Sequence, residues 1–347
     1  MRKNLLPYLS DLLKKKLPFL LLRTANDSHV RVLSQRDQKW HKTVPDNMTY
    51  GVFCKFQNSE DQVFIYAEED ESFTIEKRQL KLVEQMNTTY LVDEVEQNRY
   101  VKLIEKAVSM LKETSMKKVV LSRKQSFPKK ASDLEILSNL LDQYTEANCY
   151  FFYHPKVGKW MGATPEILVR VKEGKLQTMS LAGTALYKEY EVHDWGKKEI
   201  EEQELVTEFI IHNLHKNGAL DIQKSEVKTV QAGSLIHLST DITASIAMDD
   251  KSNFIHALHP TPAVCGIPRN QALEFILQNE NYDRSFYTGY LGMVDQNTAN
   301  YFVNLRCMQL YDQEVDIYVG GGITALSDPK AEYEETMNKL LTMKKVL

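Results

Sequence analysis

FYTGYLGMVDQNTANYFVNLRCMQLYDQEVDIYVGGGI, residues 286–323, contains three apolar segments, FYTGYLGMVD, YFVNLRCMQL and VDIYVGGGI, separated by short polar turns. Aromatic and β-branched residues fill each segment, so all three read as sheet strands. The same grammar recurs upstream in EILVRVKEGKLQTMSLAG, a hairpin whose turn is set by Glu173, Gly174 and Lys175. Strands joined mostly by hairpins, with helices interspersed, predict an α+β fold built on antiparallel sheets and argue against a doubly wound parallel one.

Downstream, SDPKAEYEETMNKL reads as a helix, with Ser327 or Asp328 at its cap and Pro329 in the first turn. Glu332 and Glu335 stand three residues apart and Lys339 four beyond, so they project from one face. Gly320, Gly321 and Gly322 are expected as a turn whose backbone N–H groups lie open to an oxyanion. Alone, this stretch is explained as simply by a solvated helix with a Glu-to-Lys pair.

Upstream, MRKNLLPYLSDLLKKKLPFLLLR reads as a short amphipathic helix and a strand. Its longest apolar run, residues 17–22, is too short for a secretory core. The first ninety or so residues alternate short apolar runs with polar turns and look strand-rich. Helical spacing begins near residue 94, with Val101, Ile104, Val108 and Leu111 on one side. The chain is therefore divided into a strand-rich N-terminal portion, 1–94, and a more compact second portion, 95–347. KKVVLSRKQSF then reads as a strand, SDLEILSNLLDQY as a capped helix and CYFFYH as a buried strand, and a further helix is expected over 194–215.

At 347 residues and 43% hydrophobic, the chain can bury a large core. A net charge of -4, with 43 Lys+Arg against 47 Asp+Glu, carries no basic excess for nucleic acid and points to a small-molecule partner. No run reaches membrane-spanning length. Cys54, Cys149, Cys265 and Cys307 are scattered without metal-type spacing, as expected of reduced thiols in a cytoplasm.

KKEIEEQELVTEF places Glu199 and Glu202 at the same spacing as Glu332 and Glu335, again near a helix start. Two such helices facing each other would offer the hard oxygen ligands that Mg²⁺ takes. The plain alternative is that glutamates favour first helical turns for dipole reasons.

Taken in order, KKVVLSR, GATPEILVRV, SLAGTA, EEQELVTEF, LHPTPAVCGIP, FYTGYLGMVD, VNLRC and GGGITALSDPKAEYEET resemble the chorismate-utilising enzymes, most of all the isochorismate synthases. The resemblance runs from about residue 95 to the C-terminus. It implies a single chorismate-binding domain, with two central antiparallel sheets and helices packed outside. A cytoplasmic monomer acting on a small substrate, chorismate, is expected. The resemblance further implies Mg²⁺ held directly by Glu202 and Glu335, with Glu199 and Glu332 beside them. It assigns substrate contacts to Gly183, Thr184, Ala263, Tyr287, Arg306, Gly321, Gly322 and Lys339.

In the same family the base is Lys118 and the acid Glu166, for water addition at C2 and loss of the C4 hydroxyl. Such a lysine needs burial or a cationic neighbour to work near neutral pH, and such a glutamate needs an apolar or acidic setting. Ala182 stands where aminodeoxychorismate-forming members carry lysine, and Ala263 where amine-adding members tend to carry threonine. Both favour water as nucleophile. The implied activity is isochorismate synthase, for menaquinone or siderophore biosynthesis. Salicylate synthase, which goes on to eliminate pyruvate, is the leading alternative. An anthranilate synthase component I-like enzyme, a Schiff-base lyase using Lys118 and a non-catalytic metal-binding protein remain further ones.

Overall fold

The computed structural model describes residues 4–45, 47–57, 62–75, 94–187, 193–232, 235–247 and 251–347. The chain opens with α1 (Leu5–Lys14), β1 (Phe19–Arg23), β2 (His29–Ser34), β3 (Tyr50–Cys54), β4 (Val63–Tyr66) and β5 (Glu69–Thr74). There follow α2 (Glu94–Glu113), β6 (Lys118–Pro128), α3 (Asp133–Gln143), β7 (Asn148–His154), β8 (Gly158–Thr164), β9 (Ile167–Lys172) and β10 (Lys175–Leu186). Next come α4 (Lys197–Lys216), β11 (Leu220–Lys224), β12 (Lys228–Ala232), β13 (Leu235–Ser245), α5 (Lys251–Leu258), β14 (Gly266–Ile267) and α6 (Arg269–Asn279). The last elements are β15 (Tyr290–Val294), β16 (Thr298–Val303), β17 (Cys307–Leu310), β18 (Glu314–Ile323) and α7 (Pro329–Lys344).

Two sheets result, one in the order β14-β6-β18-β17-β8-β7-β1-β2-β5 and the other β11-β13-β10-β9-β16-β15-β3-β4, with β12 added on β13. The ladders are antiparallel, as the hairpin grammar predicts. Strand periodicity explains the layering. In β1, Leu20 and Leu22 face a core shared with Phe53, Leu291 and Phe302 of the other sheet. Phe19 and Leu21 face the opposite way, toward α1 and α3. The second sheet is covered on its far side by α4 and α5, through Val206, Ile210, Phe254 and Leu258. The α+β arrangement with sheets inside and helices outside is thus observed.

Strands from the first 75 residues enter both sheets, β1, β2 and β5 in one and β3 and β4 in the other. Residues 76–93, whose early part belongs to the region expected to be strand-rich, lie outside the described residues. On α2 the fully buried stripe is Tyr100, Ile104, Ala107 and Leu111. Val101 and Val108, expected on that stripe, lie half-buried at its side.

In the C-terminal stretch the helix start is as expected, and of the two readings of the glycines the strand is observed and the turn is not. Asp328 caps α7, accepting from the Lys330 and Ala331 N–H groups, with Pro329 in the first turn. The glycines form no turn. Gly320, Gly321 and Gly322 continue β18, opposite Ser122, Leu121 and Val120 of β6. Pairing with β6 carries the strand onward, whereas β17 pairs β18 only as far as Tyr318. Two of the glycines are needed for clearance: a Cβ on Gly320 would stand 2.7 Å from the Leu121 carbonyl oxygen, and one on Gly322 2.7 Å from Glu202 Oε1.

Clearance also governs the junction of β3 and β15, where a Cβ on Gly289 would overlap the Cys54 carbonyl oxygen. Gly289→Ala is expected to lower the unfolding free energy by about 2 kcal/mol or more, the scale of a forced backbone shift. Chemical denaturation checks this, and an unchanged midpoint would contradict the close approach.

Candidate active site

One cavity gathers side chains from both sheets, α4 and α7. Twelve of the fourteen residues singled out from the sequence line it: Glu166, Gly183, Thr184, Glu199, Glu202, Ala263, Tyr287, Arg306, Gly321, Gly322, Glu335 and Lys339. Lys118 and Glu332 are not on its wall. Lys118 lies behind it, its Nζ 2.7 Å from Glu202 Oε1. A Cβ on Gly322 would stand 2.7 Å from that same oxygen and 2.9 Å from Lys118 Cε, so a bare backbone at 322 is what lets the pair close.

Lys118 opens β6 and is 1% exposed. Of the two settings that a basic lysine could have, burial is present. Its polar neighbour is a carboxylate rather than a cation. Burial raises the Glu202 pKa, but the Lys118 ion pair and the charges of Lys198 and Lys339 outweigh it, holding that carboxyl below its usual range.

Glu166 follows Pro165 between β8 and β9 and is 3% exposed. Its backbone is fixed on both sides: its N–H donates to Thr164 Oγ1 and its carbonyl accepts from the Val303 N–H. Burial pushes the Glu166 carboxyl up to about 8 against the opposing charge of Lys118. A carboxylic acid that keeps its proton at neutral pH can act as a general acid.

The helices α4 and α7 meet through Lys198 and Glu332, but their glutamates do not surround a common point. Among the described residues no three His, Cys, Asp or Glu side chains are gathered as a metal cluster. Lysines hold the carboxylates separately instead, because adjacent anions without a cation repel one another. Lys198 Nζ lies 2.6 Å from Glu332 Oε1 and Lys339 Nζ 2.6 Å from Glu335 Oε1, while Lys339 also donates to the Gly320 carbonyl. Glu332 Oε2 is buried without a hydrogen-bond partner. Burial, with repulsion from Glu335, raises the Glu332 pKa against the pull of Lys198. Four carboxylates with one orphaned oxygen form a hard donor set that fits a divalent cation such as Mg²⁺.

Arg306, also on the cavity wall, occupies the turn between β16 and β17 with φ 47°, a left-handed conformation that costs energy for a non-glycine residue. Its Nη2 donates to His237 Nε2 at 3.3 Å, and His237 Nδ1–H donates to the Gly183 carbonyl at 2.8 Å. Burial and then the Arg306 charge lower the His237 pKa to about 3, which keeps the ring neutral and free to accept. Gly183 has φ 68° at the bulge where the β10–β13 register shifts. Tyr287 stacks on Tyr318, ring centroids 5.5 Å apart, and both line the cavity.

Sequence reasoning missed His237, Lys198 and Tyr318. Lys198 had a signal, being one residue from Glu199 on a helix already under suspicion. His237 and Tyr318 had none beyond their place in strands, since only the sheet order brings them to Arg306 and Tyr287.

The profile of a family described as chorismate binding enzyme matches residues 39–347. Isochorismate synthase MenF of Escherichia coli K12 is 30% identical over 263 residues, covering 72% of this chain and 60% of the relative. The salicylate biosynthesis isochorismate synthase of Pseudomonas aeruginosa is 32% identical over 255 residues, covering 70% and 53%. The chain thus spans between about half and two thirds of the length of such curated relatives. Among solved structures, MenF of Escherichia coli, the menaquinone-specific isochorismate synthase, superposes with a TM-score of 0.79 at 20% identity, covering 95% of this chain and 88% of that one. Anthranilate synthase component I of Streptococcus pneumoniae gives 0.70 at 17% identity, covering 94% and 89%. At such identities these likenesses establish the fold. With its family profile matched over residues 39–347, the chain belongs to the chorismate binding enzymes.

Proposed function

We propose that this chain is an isochorismate synthase, an isomerase that adds water at C2 of chorismate and expels the C4 hydroxyl. One observation carries the reading: a glutamate kept protonated by burial, Glu166, and a buried lysine, Lys118, near enough for their charges to interact beside one cavity. The relatives' names support the same activity.

Chorismate carries two carboxylates, and the cavity wall carries Arg306, Lys198 and Lys339. The Arg306 guanidinium, oriented by neutral His237, would clasp the enolpyruvyl carboxylate together with Tyr287 and the open edge of β18 at Gly321 and Gly322. Glu202 and Glu335 would hold Mg²⁺, with Glu199 and Glu332 beside them, and the ion when bound would supply positive charge for the ring carboxylate. Lys339, next to Glu335, would serve that same carboxylate.

Lys118 as a free amine takes a proton from the incoming water as the C2–O bond forms. The ring double bond shifts, the C4–O bond breaks, and Glu166 gives its proton to the departing oxygen. Proton exchange with solvent then resets both groups. The Glu202 contact must open during turnover, because an ammonium tied to a carboxylate cannot accept a proton. Ala182 and Ala263 line the cavity where lysine or threonine would favour other nucleophiles, which supports water in that role. We read residues 1–94 as part of the same domain, and the chain as a cytoplasmic monomer.

Incubating the protein with chorismate and Mg²⁺ and separating the products tests the reading. Accumulated isochorismate is expected. Salicylate with pyruvate would transfer the chain to the salicylate synthases, and no turnover would sink both.

Glu166→Gln should fold normally and lose about 10²-fold or more in kcat, the scale of a missing general acid; Lys118→Ala should behave alike. Because Glu166 acts only while protonated, kcat/KM should fall as pH rises through about 8. A profile that climbs through that range would contradict the acid assignment.

Glu335→Ala should abolish both turnover and the Mg²⁺ response, read as Mg²⁺ binding by calorimetry alongside activity. Unchanged binding would remove Glu335 from the ligand set.

A further inference from the structure

Val120, Val264 and Thr288 line the cavity from three separate segments, and one guanidinium that is not itself on the wall touches all three. Arg284 Nη2 donates to the Val120 carbonyl at 2.6 Å, and Nη1 donates to the Val264 carbonyl at 2.9 Å and Thr288 Oγ1 at 3.3 Å. Glu280 fixes the fork from the other side, accepting from Nε at 2.7 Å and from Nη2 at 2.6 Å. The two side chains are 1% and 2% exposed, and the Phe56 ring covers the guanidinium at 4.5 Å.

Glu280 also completes the free edge of β6. Its neighbour β14 is two residues long and pairs only with Lys118 and Val119. The Val120 N–H is still met by the Cys265 carbonyl, but the chain then turns away. The Ser122 N–H donates instead to Glu280 Oε1 at 2.6 Å, and Ser122 Oγ donates to Oε2 at 3.0 Å. A side-chain ion pair thus prolongs a strand too short to finish the edge.

Stability alone explains this poorly, since a buried ion pair replaced by well-packed apolar residues often leaves a protein as stable as before. What apolar residues could not do is bond three cavity walls through directed donors and acceptors. We propose that Glu280 and Arg284 are positioning residues: they lock the strand that begins at Lys118 to the loops bearing Val264 and Thr288, and so set Lys118 and the cavity wall relative to Glu166. The proposal rests on the isochorismate synthase reading for its catalytic meaning. It does not require either residue to touch substrate.

Arg284→Lys keeps the charge and loses the fork, while Glu280→Gln keeps the shape and loses the charge. In the full chain with chorismate and Mg²⁺, each should lower kcat by about tenfold or more through misplacement of Lys118. KM should move less than about threefold, because the two cationic contacts, Arg306 and Lys339, come from elements that the pair does not bond, and Tyr287, beside the bonded Thr288, contributes no charge. Amide hydrogen exchange should quicken over residues 118–122 and 261–266 and stay unchanged in β10. If Arg284→Lys fails to fold, Glu280→Gln carries both readouts. A folded variant with wild-type kcat, or an exchange increase spread evenly over both sheets, would overturn the proposal. If the wild-type chain does not convert chorismate, the functional reading falls, and the exchange pattern alone decides whether the pair positions β6.

Discussion

The Lys118–Glu202 ion pair, closed over the bare backbone of Gly322, is the contact on which the rest of the site depends. A lysine 1% exposed cannot be left without a partner, because uncompensated burial of a charge costs several kcal/mol. The partner comes from α4, on the other sheet's side of the cavity, and reaches Lys118 only because β18 has no side chain at 322. The ladder between β6 and β18 fixes that alignment, setting Gly322 opposite Val120. One glycine therefore couples two sheets and a helix.

Charge is distributed to match. Toward α4 and α7, Lys118, Lys198 and Lys339 each neutralise one glutamate, and Glu332 keeps one buried oxygen without a partner. A divalent ion entering there would compete with ammonium groups already in place. Toward the β16–β17 turn, Arg306 donates to a neutral imidazole and to the Thr342 hydroxyl rather than to a carboxylate. Glu166 is buried on the same cavity wall, and desolvation rather than any single neighbour holds its proton. Cationic side chains and a buried acid on the wall of one cavity suit a compact dicarboxylate.

Much of this was legible in the chain. Hairpin spacing and apolar alternation give antiparallel strands, and the Asp328–Pro329 pair marks where α7 starts. The ordered motifs point to the residues that converge on one cavity. What the sequence withholds is three-dimensional. Gly320–Gly322 read both as the end of a strand and as a turn, because three glycines weaken any strand assignment, and the pairing with β6 that keeps them extended joins segments about two hundred residues apart. Four glutamates at matching spacing suggest a preformed cluster, but spacing cannot reveal that Lys198 and Lys118 will hold them apart. Arg284 and Glu280 look like an ordinary i,i+4 pair on a helix end, and only the brevity of β14 gives them a role.

If Lys118 delivers solvent water to C2 while Glu166 releases the C4 oxygen, the hydroxyl of the product comes from the solvent. Running the reaction in ¹⁸O-labelled water and locating the label by mass spectrometry shows its origin. Isochorismate with one labelled oxygen at C2 is expected; product whose C2 hydroxyl carries the substrate's own unlabelled oxygen would contradict this division of labour between the two residues.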